Sequence, residues 1–187
     1  MTKKIYQIQI ALKNIKPKIW RRILVNSDIL LVDFHRIIQT TMGWTNSHIH
    51  LFSDGFNQYS PKEFEVESTK DSRTTKLDKI LKVKKSKINY EYDFGDGWEH
   101  NILLEKILAP DEQLQIPICI DGKRNCPPED CGGVWGYSDM LKVLKQPDHE
   151  EYESYIEWLG GKFDPEYFNK EEINKKLKKK DFGCIWL

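Results

Sequence analysis

The sequence is poor in several things whose absence narrows its function. No apolar run in its 187 residues approaches the ~20 that a membrane-spanning helix needs. The start, MTKKIYQIQI, has a basic flank but no apolar core or small-residue cleavage site, so a signal peptide is not expected. A cytoplasmic location follows, and with it a reading of the four cysteines as thiols or metal ligands rather than disulfides. Net charge is zero, which argues against a protein built mainly to grip duplex DNA. There are only five arginines, few for chemistry that must stabilise a transferring phosphoryl group. Internal repeats and low-complexity tracts are also missing.

What is present fits a globular protein. Hydrophobic residues make up 39%, charged residues 31% and aromatics 12%, an ordinary balance rich in Trp and Tyr. The length suits one domain, or one with an appendage, burying roughly two-thirds of its unfolded surface. Charge is unevenly spread: residues 1–36 hold eight basic side chains against two acids, and residues 91–105 hold five acids and no base. Such polarity steers charged partners, although a patchwork of solvated surface is the commoner outcome.

Strict alternation over residues 5–12 predicts a half-buried strand with Tyr6, Ile8, Ile10 and Leu12 inward. A turn at 14–17 and a strand at 18–25 complete a hairpin. Ser27 or Asp28 is placed to cap a helix with Leu30, Phe34, Ile37, Ile38 and Met42 on one face, ended by Gly43. A third strand is expected at 48–52, an exposed loop with one edge strand at 63–66, and a helical turn at 77–81. The stretch YEYDFGDGWEH (residues 90–100) reads as two strands joined at a Gly-Asp-Gly turn, Tyr90 and Tyr92 facing Trp98 and His100. The predicted fold class is α+β: a β-grasp-like mixed sheet around one helix, extended by this hairpin.

Texture changes after Pro110. Residues 110–137 contain four prolines, four glycines and three cysteines and no periodicity, which predicts an ordered loop. Helices are expected behind Ser138, behind an Asp148/Glu151 capping box and behind an Asn169/Glu172 box, and the apolar tail Ile185, Trp186, Leu187 is expected to pack back. The division is thus a core at 1–109 and, at 110–187, a Cys/Pro/Gly-rich loop plus helices packed on it, folding as one unit.

The motifs YEYDFGDGWEH and CPPEDCGGVWGY, in this order and supported by IWRRILV, FHRIIQTTMGW, HIHLF and WLGGKFDPEYFN, resemble the Ri-plasmid open-reading-frame-three-like family. In insertion elements that family is also labelled passenger resolvase-like. The resemblance runs over nearly the whole chain and implies an α+β fold and an association with mobile elements. It implies no mechanism, because the family has no established activity. Recombinase chemistry finds no support in the residues. The first serine, Ser27, sits at a helix cap; Arg21 and Arg22 are the only near pair; and His35-Arg36 lacks a second arginine three residues on.

Several clusters are candidates for chemistry, each with a plainer alternative. Cys119, Cys126 and Cys131 share one loop and could hold zinc, although the first interval is loose for a zinc knuckle and buried cysteines often only pack. His48 and His50 could chelate a metal with Asp54, but with Ile49 and Leu51 taken as core residues the histidines fall on the solvent side. Asp93 and Asp96 bracket the turn and could act as acid and base or bind a cation; local N–H acceptance is commoner. Gly132-Gly133-Val134-Trp135-Gly136 before a helix is a weak anion-loop signal.

The leading expectation is a non-enzymatic binding or accessory module. Its groove would be lined by Tyr92, Trp98, His100, Trp135 and Tyr137, with Asp93, Asp96, Glu129 and Asp130 at an acidic rim, and would take a protein, a peptide or another ligand. Two alternatives stay open: a metal-dependent, hydrolase-like enzyme using the cysteine loop or His48, His50 and Asp54, and nucleic-acid binding by the basic N-terminal hairpin. No cofactor is certain; zinc is possible. A membrane partner is not expected.

Overall fold

The alternation in the first strand sets which side of the sheet becomes core. In the computed structural model, which describes residues 4–184, β1 (Ile5–Leu12) buries Tyr6, Ile8, Ile10 and Leu12. On the opposite face Gln7 and Gln9 donate to Glu105. β2 (Trp20–Asn26), β3 (His50–Ser53), β4 (Gln58–Ser60), β5 (Thr69–Asp71), β6 (Lys87–Tyr92), β7 (Trp98–Leu108) and β8 (Ile118–Lys123) complete one sheet, in the order β5-β4-β3-β6-β7-β1-β2-β8. Its mixed character comes from the parallel β4–β5 pair at one end, whereas β1 runs antiparallel to both β2 and β7. The α+β class holds.

α1 (Leu31–Met42) lies across the apolar face, with Phe34, Ile37, Ile38 and Met42 buried. Neither Ser27 nor Asp28 caps it. The helix begins after Leu30 without a side-chain cap, because its first N–H groups find tertiary acceptors: Leu31 donates to Thr75 O at 2.9 Å and Val32 to Ser72 O at 3.3 Å. Carbonyls from a neighbouring loop thus satisfy donors that a polar cap would otherwise serve. Gly43 ends the helix at φ +103°, its N–H on Gln39 O.

Two strand expectations change. The third strand starts at His50, not His48. Residues 63–66 form no edge strand: Lys62–Phe64 is a 3₁₀ turn closed by Glu65 in the left-handed region, φ +52°, and short strands flank it on either side. Residues 77–79 are the expected helical turn.

The segment after residue 110 contributes β8, a strand its irregular composition does not announce, paired antiparallel to β2. α2 (Gly133–Val143) starts before Ser138, directly from the glycine pair. α3 (Tyr152–Trp158) has no side-chain cap, so the Asp148/Glu151 box does not form. Ahead of α4 (Lys170–Leu177), Asn169 Oδ1 accepts from the Glu171 and Glu172 N–H groups as the expected cap, while Glu172 is held by the Asn169 side-chain amide at 3.0 Å in place of the backbone N–H of a capping box. Asn174 of α4 then clamps β8, accepting from Cys119 N at 2.7 Å and donating to Cys119 O at 2.9 Å. Ile185, Trp186 and Leu187 lie outside the described residues. Among the described residues, no helix is long and apolar enough to cross a membrane.

Candidate functional site

The β6–β7 hairpin has a buried stem and a polar tip. In the stem Tyr90, Tyr92, Trp98 and His100 are fully enclosed. The Tyr90 hydroxyl meets His35 Nδ1 at 2.8 Å and accepts from Gln39 Nε2 at 3.0 Å, and Asn46 closes this web on His35 Nε2 at 2.7 Å. His50, 2% exposed, stacks on His35 with ring centroids 3.5 Å apart. This reverses the expected solvent-facing position. Phe52 of β3 is a core residue, and His50 shares its face by strand alternation. Burial lowers the pKa of His35 to about 4 and that of His100 to about 3, and pushes His50 well below its ordinary value. These three imidazoles are neutral.

At the tip the chain turns through Asp93, φ +59°. Asp93 Oδ1 accepts from the N–H groups of Gly95 at 3.0 Å and Asp96 at 3.3 Å. That is the local turn role, and it leaves the second oxygen for other contacts. The cysteine-rich loop packs directly on this tip. A Cβ at Gly133 would stand 2.3 Å from Asp96 O, so only glycine permits this approach, and its φ of +66° also suits glycine. Pro127 O accepts from Trp44 Nε1 at 3.0 Å. Glu129 accepts from Thr45 N at 2.9 Å and from the hydroxyls of Thr45 and Tyr92. Burial, then the Glu129 carboxylate, pushes the Tyr92 phenol far up, so it acts as a donor.

Where loop and tip meet, three side chains able to ligate a cation converge from three segments. His48 Nε2 lies 3.1 Å from Asp130 Oδ1 and 3.6 Å from Asp93 Oδ2. Among the described residues this is the group of three or more potential ligands whose atoms lie within 4.8 Å of one another, and it contains no cysteine. Cys119 and Cys126 are buried, Cys131 is half-buried, and none of the four cysteines is in a disulfide. Burial raises the thiols of Cys119 to about 11, Cys131 to about 12 and Cys126 further still, so all three are protonated. Asp54 accepts instead from Phe56 N, Asn57 N and the Tyr59 hydroxyl in its own turn.

Beside the tip lies a cleft of about 940 Å³ between the 14–17 turn, residues 95–97 and the start of α2. Trp135 stands in it 83% exposed, with Lys16, Lys142 and Lys145 around it. Tyr137 also lines it but is otherwise buried, and its hydroxyl has no hydrogen-bond partner. Burial raises that phenol to about 12. A second cleft of about 480 Å³ is lined by His35, His48, His50, Phe64 and Arg73.

The model of the plasmid pRiA4b ORF-3-like family matches residues 4–172. The chain belongs to this family. A curated relative, "Uncharacterized protein y4hQ" of Sinorhizobium fredii (strain NBRC 101917 / NGR234), is 34% identical over the whole chain and 96% of its own length. A solved structure, "Crystal Structure of Protein of Unknown Function MM3350 from Methanosarcina mazei Go1", is 40% identical. It covers 92% of this chain and 98% of its own, with a TM-score of 0.83.

In this member of the pRiA4b ORF-3-like family, the residues expected to form one aromatic groove divide into three sets. Tyr92, Trp98 and His100 are core. Asp93, Glu129 and Asp130 belong to the junction. Asp96, Trp135 and Tyr137 line the large cleft. The cleft's rim carries lysines and one carboxylate, so the expected acidic rim is a basic one. His48 as a junction residue, facing Asp93 and Asp130, was not readable from spacing, because its partners stand 45 and 82 positions away.

Proposed function

We propose that this protein is a binding module that takes an acidic segment of a partner protein in the cleft beside the hairpin tip. The observation that carries the reading is Trp135, a large aromatic side chain left almost wholly in water inside a concave, lysine-rimmed site. Exposed Trp at a concave surface is the residue type that most often dominates binding energy once covered. Lys16, Lys142 and Lys145 supply the opposite charge for acidic side chains, and complementary charge of this kind sets orientation and encounter rate more than affinity. The cleft falls within the roughly 300–1,000 Å³ of ordinary ligand sites.

The basic N-terminal hairpin gives less support to nucleic acid than its composition suggests. Arg21 is buried, donating to Thr41 O at 2.8 Å, Arg22 is paired with Glu105 and Asp121, and Lys13 is paired with Glu99. The test is fluorescence anisotropy with a labelled Asp/Glu-rich peptide, its Lys/Arg-rich counterpart and an oligothymidylate. The acidic peptide should bind alone, weaken with salt, and lose about tenfold in affinity, roughly 1.4 kcal/mol, in Trp135→Ala. Equal binding of the basic peptide, or an unchanged Trp135→Ala, would overturn the reading. Binding of the oligonucleotide alone would replace it with nucleic-acid recognition.

A further inference from the structure

We infer that His48, Asp93 and Asp130 form a binding site for one divalent first-row transition-metal ion. The three arrive from separate parts of the fold. His48 comes from the α1–β3 connection, Asp93 from the hairpin turn and Asp130 from the loop ahead of α2. Their ligating atoms share one small space, with His48 Nε2 at 3.1 Å from Asp130 Oδ1 and 3.6 Å from Asp93 Oδ2. Two donors about 2.1 Å from a common ion are separated by such distances when they subtend roughly 90–120° at it, the range of tetrahedral to octahedral coordination.

A second observation concerns His48 itself. His48 Nε2 is screened from solvent and has no hydrogen-bond partner, although two carboxylate oxygens stand close by. A hydrogen bond needs its acceptor near the axis of the N–H, and it weakens steeply as that angle closes. A metal ion needs the reverse: it occupies that axis itself and holds its remaining ligands off to the side. Asp93 Oδ2 stands beyond hydrogen-bond reach of the nitrogen and no hydrogen bond forms to Asp130 Oδ1, so the nitrogen is left for an ion that both carboxylates can share. The need for a cation is also electrostatic. Asp93 is buried, and a buried carboxylate calls for a compensating charge.

The donor set points to the kind of ion. One imidazole nitrogen with two carboxylates suits manganese, iron(II) or zinc better than calcium or magnesium, which favour all-oxygen shells. Three protein ligands leave at least one position for water or for an oxygen of a bound molecule. His48 also lines the 480 Å³ cleft, so the ion would stand at the edge of a space able to admit a small ligand. This site does not depend on the peptide reading, since none of its ligands lines the large cleft.

The test uses the full chain, purified without a metal-affinity step and stripped with chelator, titrated with MnCl₂ and ZnCl₂ by calorimetry, with bound Mn²⁺ followed by electron paramagnetic resonance. One ion should bind per chain. Asp130→Asn and His48→Gln should each weaken it at least about tenfold, while Cys131→Ser and Trp135→Ala leave it unchanged. The Asp130 side chain is 69% exposed, so this variant keeps the fold and decides the matter if His48→Gln does not. Absence of saturable binding would overturn the assignment. So would binding that survives Asp130→Asn, or binding lost in Cys131→Ser instead.

Discussion

His48 and His50 are separated by one residue and sit in opposite environments. His50 lies under α1, stacked on His35 in a layer with Tyr90 and His100, and both its ring nitrogens lack a hydrogen-bond partner. His48 stands where the cysteine-rich loop meets the hairpin tip, facing two carboxylates. The first environment excludes charge and keeps its imidazoles neutral by burial. The second gathers carboxylates from distant segments around one nitrogen. A two-residue step at the start of β3 thus divides the buried layer beneath α1 from the junction at the hairpin tip.

The largest test of this contrast is acid. His35, His50 and His100 all have folded pKa values below the 6.5 of an unperturbed imidazole, because burial penalises their charged forms. Above pH 6.5 neither the folded nor the unfolded chain protonates them, so their neutrality carries no penalty. As pH falls below 6.5 the unfolded chain takes up protons that the folded chain refuses, down to about 4, where His35 begins to accept one. Each such histidine therefore costs up to about 1.4 kcal/mol of stability per pH unit in this window. Denaturant unfolding measured from pH 7.5 to 4.5 should show a steep loss, shallower in His100→Asn. A flat profile would mean that the layer is not protected from charge.

A smaller effect is expected at the junction. In Gly133→Ala the new methyl group meets Asp96 O and the backbone must hold φ +66°, together about 1–3 kcal/mol. Hydrogen exchange should locate the loss in residues 126–137 and 93–97, with β1 and β7 keeping their protection; uniform deprotection would mean that the junction supports the whole fold. The smallest effect belongs to Trp135→Ala. Its side chain touches mostly water, so denaturation should move by no more than about 0.5 kcal/mol. A larger loss would make Trp135 a packing residue.

Much of the hairpin was legible in the sequence. Strict alternation places Ile88, Tyr90, Tyr92 and Phe94 against Trp98, His100, Ile102 and Leu104, and all are buried except Phe94, which the turn leaves exposed. The Asn169 and Gly43 caps were equally readable, because their partners lie within a few residues. Failures cluster where tertiary partners replace local ones. The α1 donors go to Ser72 and Thr75 rather than to Ser27. β3 is buried at His50, Leu51 and Phe52 alike, so alternation could not show which side His50 takes. The junction joins residues 45–48, 93–97 and 127–133, a convergence that no local spacing encodes.

β8 has a consequence for the exposed borders of the sheet. Both outer strands of a sheet present unpaired backbone groups, an open template on which further chains can assemble. One border here is only three residues long, β5, too short to recruit much. The opposite border would be β2, seven residues rich in Ile, Leu and Val, were it not covered by β8 and pinned there by Asn174. The C-terminal segment therefore acts as a guard against self-templated aggregation, and a chain cut near residue 109 would carry its most adhesive strand uncovered.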